Sequence, residues 1–226
     1  LYMDLVPSEL LEGKTRISTG MRQEAERCAA AVDAALAGEP TALVCSGDPG
    51  IYALAGLALE TLEARGLVGV VPFAVVPGVP AVCAAAALLG APLMHDFACI
   101  SLSDLLTPWE TIVRRLEAAL AADFVCVLYN PRSRGRQGQL AAALDLARNY
   151  REPHCPVGVV RQAFRPGQSA AVLRLDTVDP EQVDMLSLCI IGNATSRALG
   201  PYMLTPRGYE RKRRPLPDAR PPMRGA

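Results

Sequence analysis

Ser46-Gly47-Asp48-Pro49-Gly50-Ile51-Tyr52 follows the apolar run Thr41-Ala42-Leu43-Val44-Cys45 and precedes an alanine- and leucine-rich stretch, residues 53–64, closed by Gly66. Apolar run, glycine turn and helical stretch in that order read as one crossover of an α/β fold, with the turn at the carboxyl end of a parallel strand, where such folds bind small ligands. Gly47 and Gly50 permit backbone angles closed to other residues, Pro49 removes a donor, and the helix start offers unpaired N–H groups. A plain connector needs the same parts, so this turn alone leaves ligand loop and simple architecture equally open.

The pattern then repeats. A second apolar run, residues 68–76, breaks at Pro77-Gly78-Val79-Pro80-Ala81 and leads into a helix over 82–89. Crossovers are right-handed and connections short, so the two glycine loops are expected on one edge of a parallel sheet, lining one cleft. Upstream, Thr19 precedes a helix whose Ala25, Cys28, Ala29, Val32 and Leu36 share a face, ending near Gly38. Residues 1–14 show no opening strand, and the expectation is a truncated N-terminal α/β domain.

Past Gly90-Ala91-Pro92 and a linker over 93–96, a second α/β unit begins with a strand over 97–102. Thr107 as N-cap, Pro108 at the first helical position and Glu110 read as a capping box, leaving Ser101, Ser103 and Asp104 in the loop before the helix. Residues 124–129 form an apolar strand ending in Asn130-Pro131-Arg132-Ser133-Arg134-Gly135-Arg136, and Leu140, Leu144 and Ala147 mark the next helix. Three arginines at alternate positions point to an anionic partner bearing carboxylates or phosphates, against a solvated loop as the plainer reading. Strands follow at 156–160, 169–175 and 185–191, with the basic turn 161–168 after the first, a helix start at Asp179-Pro180-Glu181, and the small polar loop 192–197 last. The expected organisation is a domain over 1–94, a domain over 95–209 and a disordered basic, proline-rich tail over 210–226, with a ligand cleft between the domains.

Composition narrows the function. Half of the 226 residues are hydrophobic and 20% charged, which suits a packed α/β core. The tail carries 6 basic and 2 acidic residues, against 17 and 21 before it, so the body offers no nucleic-acid surface. Seven cysteines without a C-x-x-C pair read as buried thiols in a reducing cytosol, and His95 and His154 lie at no ligand spacing from them, so no metal site is expected. No apolar run has the length of a membrane span and no signal peptide is evident, which gives a cytoplasmic protein with no membrane partner.

Five segments together carry a resemblance: 46–52, Val76-Pro77-Gly78-Val79-Pro80-Ala81, Ser101-Leu102-Ser103-Asp104-Leu105-Leu106-Thr107-Pro108-Trp109, Tyr129-Asn130-Pro131-Arg132-Ser133 and Ile191-Gly192-Asn193. The chain to about Tyr209 resembles the tetrapyrrole methyltransferases of corrin synthesis, in their ring-contracting, carbon-17 branch. The first two motifs are shared across the superfamily, and the third and fourth point to the branch. The resemblance implies two α/β domains, a homodimer, and S-adenosylmethionine (the methyl donor) in the cleft. It implies cofactor contacts from Gly47, Asp48 and Ile51, from Val79, Pro80 and Ala81, from Leu128 and Tyr129, and from the backbone of Gly192 and Asn193. Relatives normally open with a further strand and a G-x-G-P-G-D-type loop that this sequence lacks, so weak cofactor binding is expected.

The implied reaction methylates precorrin-3B or cobalt-factor III at ring carbon 17 with ring contraction, within cobalamin biosynthesis. A sulfonium methyl is already activated, so transfer is mainly alignment and desolvation. The tetrapyrrole substrate carries a rim of carboxylates, for which Arg132, Arg134, Arg136, Arg161 and Arg165 are the expected partners. Contraction needs proton transfers, and Asp104, Ser101, Tyr129 and His95 are the catalytic candidates, in that order. The alternatives are another methylase of the pathway, an inactive binding module, or a dinucleotide oxidoreductase. The last lacks both G-x-G-x-x-G and a ribose-binding acid at the expected distance.

Overall fold

Helix formation in the first 83 residues follows the apolar spacing, but strand formation does not. The structure, a computed structural model, describes residues 3–20, 23–133 and 135–209; the charged tail proposed from 210 onward lies outside them. The chain divides into two compact units, Leu1–Cys83 and Ala84–Ala226.

In the first unit, helix α1 (Glu24–Leu36) buries Cys28 and Val32, one turn apart, and helix α2 (Ala55–Ala64) buries Ala58 and Leu62. The face anticipated for α1 is narrower than its spacing, because Ala25 and Leu36 at its ends are exposed. Cys28, Leu54 and Ala58 form a small core with Leu43, Cys45 and Leu57 packed against it. Left-handed Gly38 and Gly66, at φ +88° and +67°, end the two helices. The expected strands over 41–45 and 68–76 are not formed. No described residue there belongs to a ladder, and only a bridge joins Val68 to Val71. Apolarity confers strand propensity, but a strand exists only with a hydrogen-bonding neighbour. These runs have none among the described strands, and Val70, Phe73, Val75 and Val76 are exposed. The parallel sheet expected to carry the two glycine loops is therefore absent from this unit's described residues. Helix α3 (Ala81–Leu89) follows the second loop, with Val82, Ala85 and Leu89 buried.

The second unit holds two sheets. Strand β1 (Gly90–Ala91) pairs in parallel with β8 (Tyr202–Leu204), which pairs antiparallel with β7 (Arg197–Leu199). Neither partner was anticipated. The larger sheet has the order β2-β3-β6-β4-β5, formed by β2 (Phe97–Ser101), β3 (Val125–Tyr129), β4 (Pro156–Arg161), β5 (Ser169–Arg174) and β6 (Ser187–Ile191). β2 and β3 run parallel, and β6 enters between β3 and β4 antiparallel to both. Val125 to Leu128 and the whole of β6 are buried, consistent with central strands. Helices α4 (Trp109–Ala121) and α5 (Gln139–Arg148) add Ile112, Leu116, Leu120, Leu140, Leu144 and Ala147 to that core. The capping box before α4 is not formed. Pro108 is the cap residue with extended backbone and no side-chain cap bond, so Thr107 stands one position too early. The anticipated helix at Asp179 is a single 3₁₀ turn, Pro180–Gln182, with the Asp179 side chain accepting from Glu181 N.

Arg151 anchors this unit from within. Its guanidinium is buried and donates to the carbonyls of Gly192 (2.9 Å), Leu120, Tyr150 and Phe124 (3.0 Å each), with the Asp123 carboxylate at 3.4 Å. One charged side chain thus ties together the end of α4, the entry to β3 and the exit of β6.

Candidate functional site

The two glycine loops of the first unit are joined backbone to backbone. Gly47 takes a left-handed φ of +76°, and a Cβ added at Gly78 would lie 2.2 Å from the Gly47 carbonyl oxygen. No side chain fits there. Asp48 holds the arrangement, accepting from Gly50 N at 2.8 Å through Oδ1 and from Gly78 N at 3.0 Å through Oδ2. Its carboxylate is therefore committed to the loops, where it fixes main-chain groups. Around it Gly47, Ile51, Val79 and Ala81 are exposed and Pro80 is half-buried. The two loops are thus in direct contact, although the strands expected to support them are not formed.

In the second unit the strand directions define two edges of the large sheet. The carboxyl ends of β2, β3 and β4 and the amino end of β6 share one edge, bringing together Ser101, Tyr129, Asn130, Arg161 and Ser187. Ser101 Oγ accepts from Asn130 Nδ2 (3.0 Å) and Ser103 N (3.2 Å). Buried Arg136 donates to Asn130 O (2.9 Å) and Ser103 Oγ (3.4 Å), and its Nε is buried without an acceptor. A tight turn places it, with Ser133 and Arg136 exchanging backbone bonds of 2.8 and 3.1 Å. Asp104 is exposed and accepts from Gln139 Nε2 at 2.7 Å, next to the start of α5.

Two of the anticipated substrate-binding arginines are already paired. Arg132 meets Glu181 in an ion pair and donates to the Glu181 carbonyl at 3.0 Å. Arg161 Nε donates to Asp184 Oδ2 at 2.7 Å. Burial opposes the Asp184 charge, but hydrogen bonds from Arg161, Ser187 and Leu186 outweigh it and hold the carboxyl below its ordinary range. Arg165 is exposed in the β4–β5 loop, and Arg134 lies outside the described residues.

The opposite edge gathers the remainder. His95 precedes β2, and Gly192 and Asn193 follow β6, so they sit a strand length, roughly 13 Å, from Ser101 and Tyr129. His95 and Asn193 line a cavity of about 530 Å³ with Asp96, Asp123, Phe124 and Arg197. The four residues anticipated for proton transfer are therefore divided, with Ser101, Tyr129 and Asp104 at one end and His95 at the other. The cofactor set in this unit divides likewise. Leu128 is buried inside β3 next to Tyr129, whereas Gly192 donates to Pro156 O and accepts from Arg151. Asn193 Oδ1 is taken up by Thr195 and Ser196 in its own turn.

Sequence reading overlooked Asp184, Leu186, Ser187 and Gln162 on the first edge. They enter it because β6 runs antiparallel and starts where β2 to β4 end. Among the described residues no three His, Cys, Asp or Glu side chains cluster at metal-ligating distance, and no helix is long and apolar enough to cross a membrane.

Known proteins resemble this chain along most of its length. Residues 3–179 match the model of the Tetrapyrrole (Corrin/Porphyrin) Methylases. A probable cobalt-factor III C(17)-methyltransferase of Salmonella typhimurium is 52% identical over 87% of this chain and 80% of its own length. A precorrin-3B C(17)-methyltransferase of Sinorhizobium sp is 40% identical, covering 87% and 77%. Other relatives are longer, and the chain spans 39%, 46% and 56% of three of them. Among solved structures, the methyltransferase CobJ superposes with a TM-score of 0.85 at 38% identity, covering 91% of this chain and 84% of its own. The uroporphyrin-III C-methyl transferase of Thermus thermophilus, complexed with S-adenyl homocysteine, gives 0.58 at 25% identity, covering 81% and 78%.

Proposed function

The chain belongs to the tetrapyrrole (corrin/porphyrin) methylases, and on that premise we propose that it methylates carbon 17 of cobalt-factor III or precorrin-3B with ring contraction, in cobalamin biosynthesis. The observation that carries this reading is the 52% identity to the Salmonella typhimurium relative across four fifths of that protein. S-adenosylmethionine, when bound, supplies a methyl group already activated by its sulfonium.

The residues present fit that donor. Gly78 lies against the Gly47 carbonyl with no room for a Cβ of its own, and exposed Ile51 and Val79 flank the pair. Asp48 keeps the two loops in register, so that main-chain groups rather than mobile side chains meet the ligand. Ser101, with Asn130 and Ser103 on its hydroxyl, and Tyr129 beside it are the proton-handling groups of the sheet edge. Arg136 orients Asn130 and Ser103 by its bonds to both. Arg132, Arg161 and Arg165 meet substrate carboxylates, the first two by exchanging an acidic partner for the substrate.

The working form is a cytoplasmic homodimer. Seven cysteines without a C-x-x-C pair support a reducing compartment, and the exposed apolar run around Val70, Phe73 and Val76 supports burial against a second copy. Incubating the purified chain with S-adenosylmethionine and either tetrapyrrole tests the reaction. The expected product has gained one methyl group and lost its bridge carbon from the ring. Methylation at another carbon overturns the reading.

A further inference from the structure

The loop between β4 and β5, residues 162–168, carries two left-handed residues that are not glycine. Gln162 has φ +47° and Phe164 φ +57°. For a bulky aromatic this conformation is costly, and it persists only where the surroundings dictate it. They do so here. Gln162 N donates to Leu186 O (3.1 Å), Arg165 N to Gln162 O (3.0 Å), Phe164 N to Gln168 Oε1 (2.7 Å), and Arg161 Nη1 to Gln162 Oε1 (3.1 Å) and Gly167 O (3.2 Å). All this bonding holds an aromatic ring out of the core, since Phe164 is 66% exposed. A solvent loop gains nothing from that arrangement.

Three features indicate what the ring meets. Phe164 stands at the sheet edge that carries Ser101, Tyr129 and Asn130, with β4 two strand spacings, roughly 10 Å, from β3. Met185 and Leu186, at the start of β6 on that edge, are each about half exposed, which extends the apolar surface. Arg161 and Arg165 flank Phe164 in sequence, so an apolar platform is bordered by cations. A flat apolar disc with a carboxylate rim is the complement of that pattern. We propose that Phe164 is the stacking platform for the substrate macrocycle, held in a strained conformation so that one face of the tetrapyrrole rests on it while Arg161 and Arg165 take rim carboxylates. This rests on the tetrapyrrole substrate proposed above.

The test compares wild type with Phe164→Gly, Phe164→Asn and Phe164→Tyr. Glycine and asparagine tolerate the left-handed backbone, so both variants keep or raise the melting temperature. Both are expected to weaken cobalt-factor III binding, followed by its absorbance change, by about tenfold, while Phe164→Tyr restores it. KM for the macrocycle rises in parallel, and the affinity for S-adenosylmethionine, read by calorimetry, stays unchanged. Unaltered macrocycle binding in the glycine variant overturns the proposal, as does a loss confined to S-adenosylmethionine, which would assign the ring to adenine. Because binding is read without turnover, wild type that binds the macrocycle but does not methylate it counts against the reaction alone. Wild type that binds no tetrapyrrole counts against both.

Discussion

The two glycine loops and the large-sheet edge, the two surfaces proposed to meet ligands, are built on opposite principles. The loops meet through main chain, with one carboxylate bridging two N–H groups and no room for a side chain at Gly78. The sheet edge positions side chains, each backed by a strand end and a guanidinium. Where backbone makes the surface, identity is demanded at the glycines and indifferent beside them. Where side chains make it, the demand moves to the groups holding them.

The largest expected effect falls on the supports of the second unit. Arg151→Met removes the donor to the carbonyls of Gly192, Leu120, Tyr150 and Phe124 and should cost about 3 kcal/mol, read as denaturant unfolding of the second unit. A loss under 1 kcal/mol would mean that the large sheet does not depend on its buried anchor. Gly78→Ala is next, because its Cβ must displace the Gly47 carbonyl. S-adenosylmethionine affinity should fall about tenfold or more by calorimetry, while Val79→Ala, a residue apart and exposed, should change it far less. Equal effects at 78 and 79 would erase the contrast between backbone and side-chain surfaces.

Asp48→Asn is a finer probe. An amide can accept from only one of Gly50 and Gly78, so about 1 kcal/mol should be lost, a drop of roughly 2–4 °C in melting temperature. The smallest effect is one of pH on the sheet core. Burial pushes the Cys126 and Cys155 thiols up to about 11 and Cys189 to about 12, from an ordinary 9.0. Their folded-state values lie above the unfolded one, so the stability they contribute is whole below pH 9.0 and declines as pH rises through 11 to 12. Thermal melts should soften over that alkaline range, and replacing Cys189 with alanine should shrink the decline.

Much of this was legible in the chain. The paired glycine loops were visible as a repeated punctuation, and the two are in contact, though not through the parallel sheet expected to carry them. The five strands of the large sheet were visible as apolar runs, to within a residue or two at most ends. Strand pairing was not, because apolar runs specify burial rather than neighbours. β6 inserts antiparallel between β3 and β4, and that insertion decides which residues reach the edge. The runs over 41–45 and 68–76 show the other side of this, having the composition of strands without a ladder. The β7–β8 hairpin had a signal that was passed over, Gly200-Pro201 between two short apolar runs. Burial of Arg136 and Arg151 carried no signal, since nothing local distinguishes a buried arginine from a solvated one.

Arg151 also has a place in time. Its acceptors Phe124, Leu120 and Gly192 lie 27, 31 and 41 residues away along the chain. On a ribosome Leu120, Phe124 and Tyr150 emerge before Arg151 and only Gly192 after it, and the prediction is that the full set closes when β6 docks, after the folding barrier. An interaction absent from the transition state governs unfolding rather than folding. The residue that secures the sheet therefore acts as a latch on its lifetime, and its loss should shorten the native state's half-life while leaving the refolding rate almost untouched.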